Sequence, residues 1–145
     1  MKITSTVLAF SLVIGSLTCY GVARAHGTEK HGTMVPTDAQ MKKLHTMMPL
    51  FSDASAAMET ALKNGDVKAL ETEAEKITGA IADLKKSVPH RNTAQREKFV
   101  ARAAQLEKTV VTTVALGKKG LFTEAKASFK KVEAACASCH ATFRD

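Results

Sequence analysis

The chain ends in the stretch Cys136-Ala137-Ser138-Cys139-His140-Ala141-Thr142-Phe143-Arg144-Asp145. Two cysteines three residues apart, followed at once by a histidine, form the C-x-x-C-H pattern of covalent c-type haem attachment. On a helix, residues i and i+3 lie on one face, so both thiols can reach the two vinyl groups of one porphyrin. We therefore predict one haem c bound to Cys136 and Cys139, with an imidazole nitrogen of His140 coordinating the iron.

Such a pair of cysteines has three other known uses. A thioredoxin-like redox pair lies beside a βαβ pattern, and no strand-like alternation of apolar residues occurs near Cys136. A structural zinc site needs about four ligands, whereas the chain has no second cysteine pair and its other histidines are scattered. A disulfide between residues one helical turn apart would constrain the fold very little. Haem attachment is therefore the leading interpretation.

Residues 1–25 have the features of a secretory signal peptide. A lysine supplies the positive start, residues 7–17 are mostly apolar, and Ala23-Arg24-Ala25 fits a small-x-small cleavage site. The apolar stretch is shorter than the roughly 20 residues of a membrane span. We predict an exported, periplasmic protein with no membrane span after processing. Cleavage would remove Cys19 and leave the 120 residues from His26 onward, which is enough for one domain.

The charge of the chain bears on its partners. The formal net charge of +7 falls to +5 when Lys2 and Arg24 leave with the signal peptide. This excess is spread over helical faces rich in lysine and glutamate, without a basic run or an aromatic platform. Nucleic-acid binding is therefore not expected, and redox partner proteins are the expected partners.

Four amphipathic helices are predicted between residues 37 and 145. The first follows a polar arm, expected to be mobile, at residues 26–36. It begins at the capping-box sequence Thr37-Asp38-Ala39-Gln40 and ends near Asn64-Gly65. Pro49 lies inside this helix and predicts a bend near residues 44–48. Its inward positions, spaced three and four residues apart, are Met41, Leu44, Met48, Phe51, Ser55, Met58 and Leu62.

The other three helices repeat this spacing of apolar residues. The second, which Asp66 can cap, has inward positions at Val67, Leu70, Ala74, Ile77, Ile81, Leu84 and Val88. The third has them at Phe99, Ala103, Leu106, Val110, Thr113 or Val114, and Gly117. The fourth has them at Phe122, Ala125, Phe129, Val132, Cys136, Cys139 and Phe143. Because the connecting loops are short, we predict an all-α, antiparallel up-down-up-down four-helix bundle with the haem inside it.

The second axial ligand of the iron decides the chemistry. In such a bundle the first helix starts where the fourth ends, so the candidates are Met41, His45, Met47 and Met48. Met48 ranks first because it occupies an inward position, whereas Met47 is rotated from it by about 100°. His45 would give a bis-histidine site. Phe143 is expected to pack on the haem, and Arg144 to lie near the proximal imidazole or a propionate.

The signal peptide, the four amphipathic helices and the ending C-x-x-C-H-x-x-F-R resemble the cytochrome c′ family, including its low-spin, methionine-ligated members. The resemblance implies a left-handed four-helix bundle, haem c on Cys136 and Cys139, and His140 as the proximal ligand with Arg144 nearby. It places the distal ligand in the first helix, around residues 47–50. Family members are often dimers through their first two helices, so the resemblance also allows for a homodimer.

These features predict a monohaem c-type cytochrome that carries single electrons between redox partners and is not an enzyme, since no acid/base pair or nucleophile is suggested. The alternative is a five-coordinate protein of the cytochrome c′ type that binds nitric oxide or carbon monoxide at an open distal face.

Overall fold

The computed structural model describes residues 39–144. Four helices make up most of this range: α1 is Ala39–Asn64, α2 is Val67–Lys86, α3 is Arg96–Lys118 and α4 is Phe122–Phe143. A short 3-10 helix, Thr93–Gln95, precedes α3, and no strand occurs among the described residues. The all-α prediction is confirmed. The predicted signal peptide, the polar arm and the start of the capping box lie outside the described residues.

The helix ends follow local chemistry. α1 stops at Asn64 because Gly65 adopts φ +69°, a left-handed conformation that suits glycine. The Asp66 carboxylate accepts a hydrogen bond from the Ala69 N–H at 2.9 Å and caps α2 as predicted. α2 ends two residues earlier than predicted, so Val88 is not one of its positions. A residue before proline avoids the helical conformation, and Pro89 follows Val88.

Each helix is antiparallel to its neighbours. Lys43 near the start of α1 pairs with Asp83 near the end of α2 at 3.3 Å. Glu71 early in α2 pairs with Lys118, the last residue of α3, at 2.6 Å. The Thr113 hydroxyl late in α3 donates to Ser128 Oγ early in α4 at 2.9 Å. The start of α4 in turn lies at the end of α1, where the Phe122 ring is 3.7 Å from the position that a Cβ on Gly65 would take. The helices therefore run up-down-up-down.

The core is built from residues at the predicted three- and four-residue spacing. Five of the predicted inward positions of α2 are buried, from Leu70 to Leu84, whereas Val67 is only half-buried. The inward positions of α3 are confirmed, with Thr113 buried rather than Val114. The buried positions of α4 include Ala125, Phe129, Val132 and Phe143. Cys136 and Cys139 are half-buried and pack against this core. Nearly all the inward side chains are small or aliphatic, so the packing depends on close helix–helix contact.

The buried stripe of α1 differs from the predicted one. Leu44, Phe51, Met58 and Leu62 are buried as expected. Met48 and Ser55 are only half-buried, and Met47 and Ala54 take their places in the core. The physical reason is that α1 packs closely against α2 and only loosely against α4, so burial favours the side of α1 that faces α2.

α1 continues through Pro49 without interruption, and the proline side chain is exposed. A proline on the solvent side of a helix removes one backbone hydrogen bond without filling core space. The bend expected there stays a prediction. Among the described residues, no helix is both long enough and apolar enough to cross a bilayer.

Met58 provides a test of the core. Its side chain is 0% exposed, so Met58→Ala should lower the free energy of unfolding by about 2–5 kcal/mol through lost burial and a cavity. Val111→Ala is the matched control: the Val111 side chain lies on α3 at 55% exposure, and its removal should change stability by less than about 0.5 kcal/mol. Urea denaturation followed by circular dichroism measures both. Equal losses in the two variants would contradict the assigned core.

Candidate functional site

The α2–α3 loop holds the C-terminal end of α4. The Arg91 backbone N–H donates to the Phe143 carbonyl at 3.1 Å, and Asn92 Nδ2 donates to the Thr142 carbonyl at 2.6 Å. Asn92 adopts φ 54°, a left-handed conformation that asparagine tolerates better than most residues. These bonds satisfy carbonyls that a helix end leaves without an intrahelical donor. The turn of α4 that follows the C-x-x-C-H motif is therefore held in place.

Arg96 in turn fixes this loop to the end of α2. Its guanidinium donates from Nη1 to the Ser87 carbonyl at 2.6 Å and from Nη2 to the Lys85 carbonyl at 2.7 Å. A charged donor shared by two carbonyls forms strong, directional hydrogen bonds. The loop that supports the motif is thus itself anchored.

Cys136 and Cys139 lie one turn apart on α4, half-buried and with free thiols. Burial raises the pKa of both thiols. The pKa of Cys139 is raised further by Cys136 and lowered slightly by Arg102 of α3. Reactive redox cysteines instead have a lowered pKa, since the thiolate is the nucleophile. This environment therefore disfavours the thioredoxin-like alternative.

The raised pKa values predict slow alkylation of the thiols in haem-free protein. The rate of reaction with iodoacetamide should rise only at a pH above 9.0, the ordinary value for a cysteine, while urea-unfolded protein reacts at lower pH. The thiol pKa is higher in the folded protein than in the unfolded protein. The neutral thiols therefore contribute fully to stability at any pH below their pKa in the unfolded protein. This contribution is lost as the pH rises through the folded pKa. If the thiols of the folded protein became reactive at a lower pH than those of the unfolded protein, the redox alternative would be restored.

His140 faces α1. It lies eighteen residues after Phe122, which is about five helical turns, so the two side chains leave α4 in the same direction. The Phe122 ring lies against the end of α1 at Gly65. The His140 side chain is half-buried, as expected at the border between two helices.

A weak attraction between one residue of α1 and one of α4 indicates the approximate register of the two helices. Glu59 of α1 and Lys130 of α4 attract each other and contribute to each other's pKa, after the larger effects of Lys63 on Glu59 and Glu133 on Lys130. Because α1 and α4 are antiparallel, a residue ten positions before Glu59 in α1 lies level with the residue ten positions after Lys130 in α4. His140 is therefore level with Pro49, beside Met48. The Phe122–Gly65 contact gives the same register within two residues.

The two methionines point to different neighbours. Met48 lies eleven residues before Glu59, about three turns, and so shares the face of α1 that meets α4. Met47 lies one turn after Lys43, which pairs with Asp83 of α2, and its side chain is 7% exposed in the core. The expectation that Met48 is the more deeply buried of the two is wrong. Nevertheless Met48 is the methionine that faces the helix carrying the motif.

Met48, Cys136, Cys139 and His140 are all half-buried, and α1 and α4 contact each other much less than the other neighbouring helix pairs do. The loosest helix packing therefore lies between α4, which carries the two thiols and the imidazole, and α1, which carries the thioether. Imidazole and thioether are axial ligands of haem iron, and two thiols on one face can anchor a porphyrin. The donor set fits haem c.

Phe143 is buried and packs edge-on against Phe99 of α3, with ring centroids 5.2 Å apart and an interplanar angle of 78°. This is a favourable aromatic geometry, and it fixes the motif end of α4 against α3. Arg144 is half-buried, and its backbone N–H donates to the His140 carbonyl at 3.0 Å. The haem contacts expected of Phe143 and Arg144 stay predictions.

His45 makes a contact that the sequence did not reveal. Its ring is nearly parallel to that of His90 in the α2–α3 loop, with centroids 4.8 Å apart, and the two Nε2 atoms are 3.0 Å apart. His45 would have to leave this pair in order to coordinate iron. The bis-histidine alternative therefore has less support than Met48. The backbone of Met41 lies in α1.

The described residues outside the motif bear on the alternative interpretations. Within residues 39–144, no three His, Cys, Asp or Glu side chains come together as metal ligands, so the zinc alternative has no ligand set there. A groove of about 290 Å³ lies between α2 and α3, lined by apolar residues such as Val110 and Val114 and by Glu71, Glu75 and Lys118. It lies away from the motif. No family model, curated protein or solved structure matches the chain.

Proposed function

We propose that this protein is a periplasmic, monohaem c-type cytochrome of the cytochrome c′ type that carries single electrons between redox partners. The observation that supports the proposal is the position of Cys136, Cys139 and His140 on α4, half-buried beside the loosely packed α1. Helix geometry puts Met48 of α1 at about the same level of the bundle as His140. The features of a signal peptide at residues 1–25 support export, which c-type maturation requires.

Each of these residues has a distinct role in the proposal. Cys136 and Cys139 hold the cofactor through two thioether bonds, which is consistent with protonated, half-buried thiols. His140 and Met48 would bind the iron, His140 from a helix whose C-terminal end is held by the α2–α3 loop. Bound haem supplies a one-electron iron couple, and methionine ligation raises its potential.

The proposal assigns no enzymatic step to the chain. Its ligands would fill both axial positions, which suits transfer of an electron without bond formation. Rigid helical support of both ligands keeps structural change between oxidation states small.

A second function, binding of nitric oxide or carbon monoxide, is favoured by the exposure of Met48. Its side chain is half-buried at the most loosely packed helix pair, so its sulfur can move away more easily than a fully packed one. In that case a gas would take the position opposite His140.

One measurement separates the two functions. The absorption spectrum of the purified, reduced protein should be that of low-spin haem, and carbon monoxide should bind slowly because a ligand must first leave. A high-spin spectrum with rapid, tight binding would select the gas-binding function instead. A haem-free product after expression with the c-type maturation machinery would reject both.

A further inference from the structure

The described charges are divided unequally between the two ends of the helices. We define the motif half as residues 39–50, 80–103 and 136–144, which lie toward the end of the helices that holds the C-terminus of α4. At its border, Lys85 pairs with Glu107 of the remaining residues at 2.7 Å. The motif half contains only two acids, Asp83 and Glu97. Its nine basic residues are Lys42, Lys43, Lys85, Lys86, Arg91, Arg96, Lys98, Arg102 and Arg144. The formal charge of the motif half is therefore +7.

The opposite half, residues 51–79 and 104–135, contains nine lysines and nine acids and is neutral. Many of its lysines pair with acids of the same half, as in Lys63–Glu59 at 2.9 Å, Lys118–Glu71 at 2.6 Å and Lys130–Glu133 at 2.9 Å. The whole net charge of residues 39–144 thus resides in the half that carries the motif. The excess charge, expected to be spread over helical faces, thus lies on several helices but toward one end of them.

The positive charge of the motif half is accessible. Six of its basic side chains are exposed: Lys42, Lys43, Lys86, Arg91, Arg96 and Lys98. Arg96 donates its hydrogen bonds to backbone carbonyls, so its charge is not neutralised by a carboxylate there. The adjoining acids Asp38 and Asp145 would lower the formal charge from +7 to +5, and two haem propionates to +3. The motif half therefore keeps a net positive charge.

A positive end on an otherwise neutral body orients the molecule in the field of a negative partner. Such steering raises association rates by roughly 10- to 1,000-fold and weakens with salt, because charges are screened over about 8–10 Å at physiological ionic strength. We propose that the motif half is the docking surface for a redox partner protein with an acidic surface. This rests on the proposed function, since docking at that end would bring the partner closest to the cofactor.

Two variants with the same change in net charge test the proposal. Lys42→Glu with Lys98→Glu alters exposed lysines of the motif half, and Lys68→Glu with Lys126→Glu alters exposed lysines of the opposite half. Holoprotein is titrated with a fluorescently labelled peptide of sixteen glutamates, and affinity is read by anisotropy at low and high salt. We expect the first variant to bind about tenfold more weakly and the second less than about threefold, with both differences vanishing in high salt.

A kinetic experiment measures how these charges affect electron transfer at the cofactor itself. Oxidation of reduced holoprotein by ferricyanide, an anion, should slow about tenfold in the motif-half variant and hardly change in the other. Oxidation by tris(phenanthroline)cobalt(III), a cation, should accelerate in the motif-half variant.

The results distinguish a failure of the proposed docking surface from a failure of the proposed function. Equal weakening in both variants would mean that only net charge matters, and would overturn the proposal. Tighter binding of labelled DNA, or of vesicles containing anionic lipid, than of the acidic peptide at matched salt would overturn the choice of partner. A haem-free product would end the proposed function, whereas haem-bearing protein in which both variants bind the peptide equally would overturn the docking surface alone.

Discussion

Replacing both Cys136 and Cys139 by serine is expected to yield an exported protein that carries no covalently bound haem. Serine preserves the size and burial of each side chain but cannot form a thioether, so the four helices should remain while the anchor is lost. Mass spectrometry of the periplasmic product should show the mass of one haem in the wild type and none in the variant. The absorption of the purified variant should likewise lack a haem spectrum.

Cys19→Ser is the matched control for this experiment. Cys19 lies within the predicted signal peptide, so its replacement should leave haem content unchanged. Single replacements of Cys136 or Cys139 should retain one thioether and give lower yields. Covalent haem in the double variant, or its loss in Cys19→Ser, would place the attachment elsewhere and end the present assignment.

The second large effect is expected at Met48. In Met48→Ala the reduced protein should change from a low-spin to a high-spin absorption spectrum and bind carbon monoxide rapidly, because the sulfur opposite His140 is gone. Covalent haem content should be unchanged, since the two thiols are untouched. Stability should fall modestly, because the Met48 side chain is only half-buried.

Met47→Ala is the control that the structure provides. Met47 is buried on the α2 side of α1, so this variant should keep the low-spin spectrum and lose about 2–5 kcal/mol of unfolding free energy. The pair thus separates ligation from packing at adjacent residues. The reverse pattern would identify Met47 as the ligand. A low-spin spectrum retained in both variants but lost in His45→Ala would identify a bis-histidine site.

Much of the fold could be predicted because its information is local. Apolar residues three and four apart define one face of a helix wherever the rest of the chain lies. Gly65, with its left-handed conformation, marks the end of α1 from its own backbone preference. The prediction failed at Val88, where the effect of Pro89 on the preceding residue outweighed the apolar spacing.

The site was predicted less completely, since part of it depends on contacts between distant segments. The C-x-x-C-H motif is local, so Cys136, Cys139 and His140 could be identified together. Met47 and Met48 lie on either side of the same inward stripe, and periodicity alone cannot tell which side meets α2 and which meets α4. The His45–His90 contact joins residues far apart in sequence, and no local pattern signals it.

The sequence by itself determined four amphipathic helices and a C-terminal C-x-x-C-H motif, because periodicity and short-range spacing belong to the chain whatever its tertiary contacts. Only the tertiary structure decided that Met48 faces the motif-bearing helix, that the α2–α3 loop holds the end of α4, and that the net positive charge of the described helices gathers in the motif half. Those properties depend on the register and rotation of each helix against its neighbours. Register and rotation are set by long-range packing and ion pairs, which a linear pattern does not encode.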